Sequence, residues 1–175
     1  MYEPKASRAY WPDALQNPSD ATTGLKPWGW ALERLEKSHN YWMATSRPEG
    51  RPHVMLVWGI WWEEAFWFST GRRTRKAKNI AADPHCVIAT EKADEAVILE
   101  GLAQEISDRG VWKQLVPVYN RKYGGDVGPL LETSDSCVFR VQPQIAFGQD
   151  EHAENFTEAV TRWHFPEAGT PFGRI

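Results

Sequence analysis

Apolar residues recur every three or four positions directly after Pro27, and charged residues fill most of the positions between them. The apolar positions are Trp28, Ala31, Leu32 and Leu35. This is the spacing of one face of an α-helix, and proline is favoured in the first turn of such a helix. The pattern therefore predicts an amphipathic helix that starts at Pro27 and ends near Asn40.

The pattern then changes to short apolar and aromatic runs that are separated by polar turns. The runs at 41–46, 52–62 and 65–70 are interrupted by turns at 47–50 and 63–64. Aromatic and β-branched residues between such turns are typical of strands that are joined by hairpins. We therefore expect an antiparallel meander in this part of the chain.

The remainder of the chain alternates helical and strand patterns. We expect a short helix at 74–83, closed by Pro84, and a second helix that Asp108 caps and Pro117 kinks or shortens. The strand candidates lie at 85–91, 96–106, 137–141, 144–147 and 159–165, and a loop is expected at 124–129. About seven strands with a few small helices predict a mainly β fold, and this pattern alone favours a closed antiparallel barrel.

Residues 1–26 show neither a helical nor a strand period, and we expect them to form an extended N-terminal arm. Residues 27–175 are expected to form a single domain. A chain of 175 residues is long enough for one proper core and too short for two comfortable domains.

The composition is that of an ordinary globular protein, with 42% apolar and 25% charged residues. No apolar run approaches the roughly 20 residues of a membrane span, and the N-terminus lacks a secretory signal pattern. Two cysteines, Cys86 and Cys137, are too few for a disulfide scaffold and are expected to be buried thiols. These observations predict a soluble, cytoplasmic protein.

Tryptophan is unusually frequent, with ten in the chain. The densest group is Trp58, Trp61, Trp62 and Trp67. An indole ring brings a large apolar area and an N–H group that needs a partner, so clustering favours a core, an interface or a wall for a planar ligand. Composition leaves all three roles open, and Trp58 is the one candidate for a ligand wall.

Five cations lie around the predicted start of the helix at 74–83: Arg72, Arg73, Arg75, Lys76 and Lys78. The positive end of the helix dipole disfavours each cation there by about 0.3–1 kcal/mol, so the cluster costs stability unless an anion neutralises it. Free N–H groups of the first turn, nearby hydroxyls and the Arg75 guanidinium would together hold one phosphate. A solvated basic face is the ordinary alternative.

Nucleic acid fits the chain less well than a single phosphate does. Basic residues beside aromatic ones are found on single-strand binders. However, the net charge of -3 and the acidic segment around Asp150, Glu151 and Glu154 leave no extended basic stripe. The histidines also lack the spacing of a metal site, so we expect neither nucleic acid nor a metal.

Four segments resemble the pyridoxamine 5'-phosphate oxidase-like superfamily of flavin- and deazaflavin-binding split barrels. They are His53–Trp58, Phe66–Thr70, Thr74–Pro84 and Glu100–Ala103. The resemblance implies an antiparallel split β-barrel and a homodimer with two cofactor sites at its interface. It implies phosphate contacts from Ser69, Thr70, Arg75 and Lys76. It also implies that the cofactor ring and ribityl chain lie along the backbone of His53, Val54, Met55, Leu56, Val57 and Trp58.

In the vitamin oxidases themselves, an arginine and a lysine stand at the positions of His53 and Trp58. This departure argues against vitamin oxidation, and Trp58 suits a larger or planar substrate. We therefore expect an FMN-dependent oxidoreductase that transfers hydride to or from a small planar organic molecule. Two alternatives stay open. One is a deazaflavin (F420)-dependent reductase, which would also use Arg72 and Arg73, and the other is a flavin-binding carrier or sensor without turnover.

Overall fold

The computed structural model describes residues 3–9, 24–153 and 160–166. The strands are β1 (Lys5–Arg8), β2 (Tyr41–Ser46), β3 (Pro52–Val57), β4 (Gly59–Trp62), β5 (Ala65–Gly71), β6 (His85–Thr90), β7 (Glu95–Ile106), β8 (Ser136–Asp150) and β9 (Thr161–His164). The helices are α1 (Trp28–Lys37), α2 (Arg75–Ala82), α3 (Arg109–Tyr123) and α4 (Gly128–Leu131). The strand pairings among these residues are antiparallel, so the predicted mainly β class is confirmed.

β8 organises the sheet because it pairs along both of its edges. One edge runs beside β7, and the other is shared by β5 along residues 136–141 and by β9 along residues 145–148. From β7 the sheet continues through β6 and β2 to β3, from β9 it continues to β1, and β4 pairs with β5. The sheet is therefore split at β8.

The sheet is not closed into a hydrogen-bonded ring, which corrects the closed barrel that the sequence pattern favoured. β3 and β4 are end strands, and no ladder joins them in the described ranges. They are consecutive in the chain, with only Trp58 between them. The expected continuous strand at 52–62 is thus two strands, because the chain passes from one half of the split sheet to the other at Trp58.

Two clusters of buried side chains hold the helices against the sheet. The first contains the predicted apolar face of α1, where the Trp28 ring packs edge-on against Trp163 at a centroid distance of 5.4 Å. The second lies under α3 and contains Trp67 and Trp112. Burial of these large rings supplies much of the apolar stabilisation. Composition alone left the tryptophans as core, interface or ligand-wall residues, and in the structure most of them belong to the core or its margin.

β8 runs through Pro143, where the sequence pattern predicted two separate strands at 137–141 and 144–147. Opposite this proline, the register of β7 shifts between Glu100 and Gly101. A bulge of this kind accommodates a residue that cannot donate a backbone hydrogen bond. A Cβ on Gly101 would lie 2.3 Å from the Gln142 carbonyl oxygen, so the bulge requires glycine. The prediction of two strands is wrong because a bulge in β8, with Gln144 as its extra residue, carries the strand past the proline.

α3 continues past Pro117 to Tyr123, so the proline does not shorten the helix. Asp108 Oδ1 accepts a hydrogen bond from Gly110 N at 2.7 Å, which confirms the predicted cap. Gly124 ends the helix in the left-handed conformation with φ of 72°. Beyond it, the expected loop at 124–129 contains the start of the short helix α4. None of the helices in the described residues is long and apolar enough to cross a membrane.

The turn between β4 and β5 is a site where stability can be gained. Glu63 and Glu64 have φ values of 47° and 58°, and the left-handed region costs a residue with a Cβ about 1–2 kcal/mol. We expect Glu63→Gly to raise the free energy of unfolding by about 1 kcal/mol in urea denaturation. Glu49→Gly in the β2–β3 turn is the control, because Glu49 does not have a positive φ. Equal effects of the two substitutions would contradict this explanation.

Candidate functional site

The start of α2 follows β5 directly, so the strand delivers Ser69 and Thr70 next to the first turn of the helix. Thr74 caps the helix, since its Oγ1 accepts a hydrogen bond from Ala77 N at 3.4 Å and lies 3.2 Å from Thr70 Oγ1. No acidic residue occupies the first turn. The positive end of this helix is therefore surrounded by hydroxyl groups and cations, without a carboxylate in that turn.

The cations around this helix start fall into two groups. Arg72 donates to both carboxylate oxygens of Glu105 at 2.6 and 3.1 Å, and Arg73 Nε donates to Asp135 Oδ1 at 3.2 Å. The cations that form no ion pair with any residue of the described ranges are Arg75, Lys76 and Lys78. The charges of Arg72 and Arg73 are neutralised by ordinary surface ion pairs. The charges of the second group are free to interact with another anion.

A buried hydrogen bond holds α2 against β2. Asn79 Nδ2 donates to Thr45 Oγ1 at 2.9 Å, and both residues are buried. Thr45 is paired across the ladder with His53 in β3. The helix that carries Arg75 and Lys76 in its first turn is thereby held beside the start of β3.

His53 lies among cations from both neighbouring elements. Its Nδ1 atom is buried and has no hydrogen-bond partner in the part of the chain that the structure covers. Burial is the first cause that lowers the pKa of His53, and the charges of Arg47, Lys76 and Arg75 lower it further. Arg47 follows β2 in a polar turn. It is a candidate site residue that nothing in the sequence pattern indicated.

Lys76 is partly withdrawn from solvent, and this burial lowers the pKa of its ammonium group. The nearby Cys137 offers no countercharge, because burial raises the pKa of its thiol to about 11. Its Sγ donates to the Thr70 carbonyl oxygen at 3.1 Å, and both cysteines are buried thiols as expected. A desolvated ammonium group without a carboxylate partner gains more from a bound anion than an exposed one does.

β3 exposes apolar side chains along an end strand of the sheet. The large apolar residues on and beside it that are about half exposed are Trp42 (47%), Val54 (50%), Met55 (49%), Leu56 (48%) and Trp58 (49%). Val57 differs, because its side chain is buried in the core. Folded proteins usually cover apolar end strands, since such strands otherwise promote aggregation. The backbone of residues 53–58 is therefore accessible to a ligand or a second chain.

Trp58 is part of an aromatic wall with Tyr123 and His39. The rings of Trp58 and Tyr123 stack at 4.7 Å with 12° between their planes, and the His39 ring lies 5.1 Å from Tyr123. The Tyr123 hydroxyl accepts a hydrogen bond from Gly59 N at 2.8 Å and lies within donating distance of the Gly59 and His39 carbonyl oxygens. These bonds fix Tyr123, and Tyr123 in turn supports one side of Trp58.

A cavity of about 760 Å³ opens beside His39, between α1, β4 and α3. Its lining includes Trp61, Trp62, Arg121 and Lys122. Lys122 Nζ donates to the Tyr41 hydroxyl and lies 4.6 Å from the centre of the Tyr41 ring. Burial lowers the pKa of Lys122 to about 8. The cavity thus combines aromatic walls with a partly desolvated amine.

The structure arranges the residues implied by the sequence resemblance in two neighbouring groups. Thr70, Arg75 and Lys76 lie around the start of α2, whereas Ser69 precedes Thr70 in β5 with its side chain on the opposite face of the strand. Residues 53–58 lead from that helix to the aromatic wall. The contributions of His39, Tyr123 and Lys122 could not be read from the sequence, because only the packing of α3 against β4 and the end of α1 brings them to Trp58.

Residues 31–149, more than half of the chain, match the family model described as pyridoxamine 5'-phosphate oxidase. The chain belongs to the pyridoxamine 5'-phosphate oxidase family. The matched range contains β3, the cationic start of α2 and the aromatic wall. The resemblance seen in the sequence is therefore confirmed at the level of the family and its fold.

Solved structures of this fold differ in what they are named for. An F420 reductase shares 25% identity at a TM-score of 0.55, over 65% of this chain and 93% of that one. The heme storage protein HutZ from Vibrio cholerae shares 21% identity at a TM-score of 0.61, over 69% of this chain and 94% of that one. A heme binding protein from Mycobacterium smegmatis shares 18% identity at a TM-score of 0.60, over 74% and 60%. A comparison with curated protein sequences found no significant match.

The support that Tyr123 gives to the aromatic wall can be measured through its hydroxyl group. We expect Tyr123→Phe to lower the free energy of unfolding by about 1–3 kcal/mol, because the buried Gly59 N–H loses its partner. Tyr119→Phe is the control, since the Tyr119 hydroxyl donates to the Trp67 carbonyl oxygen and its loss orphans no N–H group. Urea denaturation measures both variants, and an equal or smaller loss in Tyr123→Phe would contradict the assignment.

Proposed function

We propose that this protein is an FMN-binding oxidoreductase that transfers hydride to or from a small planar organic molecule. The observation that carries the proposal is the group of cations without ion pairs at the positive end of α2, next to an exposed apolar end strand. A phosphate group would neutralise the cations, and a planar ring system would cover the apolar surface. FMN joins these two chemical groups in one molecule.

The residues present fit a phosphorylated flavin. Arg75, Lys76 and the first-turn N–H groups would hold the phosphate, with further hydrogen bonds from the hydroxyls of Ser69 and Thr70. The orphaned Nδ1 atom of His53 is a buried polar group that such a ligand would satisfy. When bound, the flavin would supply the hydride chemistry, which explains why the sequence carries no obvious catalytic triad or carboxylate pair.

The other end of β3 would position the substrate. The outward edge of β3 offers backbone groups to the flavin ring, and Trp58 offers an aromatic surface that Tyr123 holds in place. The adjacent cavity is lined by Trp61 and Trp62, by the carboxylate of Glu36 and by three cations, Lys37, Arg121 and Lys122. This excess of positive charge beside aromatic walls suits a planar molecule with a negatively charged group. The same cavity favours an enzyme over a flavin carrier or sensor, which needs the phosphate site but no second pocket.

A deazaflavin cofactor is the second candidate, supported by the similarity to an F420 reductase. F420 also carries a phosphate, so Arg75 and Lys76 would serve it equally well. Its acidic tail would have to draw Arg72 and Arg73 away from Glu105 and an aspartate. These two ion pairs are the observation that favours FMN.

Dimerisation through β2 and β3 would complete the site. Trp42 is paired with Leu56 and Ala44 with Val54, so these side chains share the outward face of the sheet. The exposed apolar residues on this face are of the kind that subunit interfaces bury. We therefore expect a second copy of the chain to cover this face and to enclose the cofactor.

The phosphate assignment predicts a selective loss of cofactor affinity. We expect Arg75→Ala with Lys76→Ala to weaken FMN binding by about 100-fold, because two charge-assisted contacts of about 1.5 kcal/mol each are lost. Arg72→Ala with Arg73→Ala is the matched control and should change affinity far less, since both side chains are already paired. Fluorescence titration with FMN at fixed salt measures the affinities, and circular dichroism verifies the fold.

Parallel titrations with riboflavin, F420 and hemin separate the candidate functions. Riboflavin lacks the phosphate and should bind weakly to the wild-type protein and to the double variant alike. Tighter binding of F420 than of FMN would select the second candidate. Unchanged FMN affinity in the folded Arg75/Lys76 double variant, or binding of hemin alone, would refute the flavin phosphate site.

The proposed dimer predicts a variant that is monomeric. We expect the wild-type protein to sediment as a dimer and Leu56→Asp to shift it to the monomer, because a carboxylate would be buried in the interface. Leu130→Asp is the control, since Leu130 in α4 is also an exposed leucine but lies away from β3. A monomeric wild-type protein in analytical ultracentrifugation would disprove the dimer.

A further inference from the structure

The two arginines of the β2–β3 turn have different surroundings. Arg51 is exposed and lies 3.8 Å from a carboxylate oxygen of Glu49. Arg47 is partly buried, and its Nε atom has no hydrogen-bond partner among the residues that the structure describes. A guanidinium carries five N–H donors, and the buried Nε donor of Arg47 would gain a partner if an anion bound beside this turn.

Arg47 follows Thr45 by two positions, so strand alternation places it on the face of the sheet that carries α2. Thr45 on that face binds Asn79 of α2 and pairs with His53 across the ladder. The charge of Arg47 acts on the His53 ring, as do the charges of Arg75 and Lys76. The backbone fixes its position, because Arg47 N donates to the Arg51 carbonyl oxygen at 3.0 Å and so closes the turn. Cations from the β2–β3 turn and from α2 therefore converge at the start of β3, and none of these charges is opposed there by a carboxylate of the described ranges.

We propose that Arg47 and His53 complete the phosphate site formed by Arg75 and Lys76, and that His53 takes up a proton from solvent when the phosphate binds. This inference rests on the proposed function, since it requires a phosphate at the start of α2. It adds Arg47 to the binding residues, gives the His53 side chain a charged role, and makes cofactor affinity depend on pH. The family's vitamin oxidases have a permanent cation at the position of His53. Here Arg47 would supply that charge, and His53 would add a second charge when it becomes protonated.

The sign of the pH dependence follows from linkage. In the free protein the pKa of His53 lies below its ordinary value of 6.5, because of burial and the charges of Arg47, Lys76 and Arg75. A bound phosphate dianion raises that pKa. Between the two values the complex holds more protons than the separate partners, so affinity falls as pH rises through this window. The phosphate's own second pKa, near 6, acts in the opposite direction, and the comparison with a variant that lacks His53 separates the two.

Calorimetric titration of the full-length protein with FMN, in two buffers of different ionisation enthalpy, measures affinity and proton uptake together. At pH 7 we expect net proton uptake by the wild-type protein, and no uptake but a slight proton release from the phosphate with His53→Gln. Arg47→Gln should weaken FMN binding about tenfold, and its matched control Arg51→Gln should leave it unchanged. Riboflavin should show neither the proton uptake nor the dependence on Arg47, and His53→Arg should bind FMN without proton uptake.

The outcomes distinguish this inference from the proposed function. If Arg47→Gln and Arg51→Gln bind FMN equally and His53→Gln still takes up protons, the inference is wrong while the requirement for Arg75 and Lys76 can stand. If FMN binding does not depend on Arg75 and Lys76, the proposed function fails, and the inference fails with it. Loss of affinity in Arg47→Gln together with loss of proton uptake in His53→Gln supports the inference.

Discussion

The buried hydrogen bond between Asn79 and Thr45 determines where the cations of α2 can act. α2 has only eight residues, too few for a helix to be stable on its own propensity, so its position depends on tertiary contacts. Ala77 and Ile80 bury its apolar side, and Asn79 joins it to β2 directly opposite His53. Loss of this bond would leave a buried amide and a buried hydroxyl with fewer partners, which proteins rarely tolerate.

This fixed position concentrates features that each reduce stability. The helix dipole disfavours Arg75 and Lys76 in the first turn, burial disfavours the charge of Lys76, and water disfavours the exposed apolar side chains of β3. They occupy the same end of the sheet, whereas Arg72 and Arg73 next to them are neutralised by ordinary ion pairs. Unfavourable features that lie close together are typical of binding sites. An anion would relieve the electrostatic ones, and a planar ligand together with a second copy of the chain would cover the apolar side chains.

The sequence could predict those parts of the structure that depend on local spacing. The apolar period after Pro27 predicted α1, which the structure confirms. The hydroxyl residues among the cations at 69–78 predicted a phosphate site at the start of α2, and this site stays a prediction. Pro143 misled the prediction, because the bulge at Gln144 that carries β8 past it arises only in the pairing with β7, whose Gly101 is more than forty positions away in the chain. Arg47, Tyr123 and Lys122 carry no local signal at all. Their roles arise from ring stacking and charge proximity between distant elements, which one sequence without its fold does not contain.

The two positions at which this chain departs from the vitamin oxidases lie at opposite ends of the same strand, and the surroundings of each one explain the change. At the start of β3, His53 stands in the place of a permanent cation, and the charge of Arg47 from the adjacent turn acts on its ring, which is why we propose that Arg47 restores the charge there. At the far end, Trp58 replaces a lysine, and Tyr123 stacks on the indole in a way that it could not on a flexible amine. The cavity beside His39 carries the cations Lys37, Arg121 and Lys122 and the carboxylate of Glu36. The start of β3 would therefore still bind the cofactor phosphate. At the other end of the strand, the aromatic surface of Trp58 replaces the charge of a lysine, and the nearest cations lie in the neighbouring cavity. A substrate that meets this arrangement would be recognised first by its planar face and only then by an anionic group.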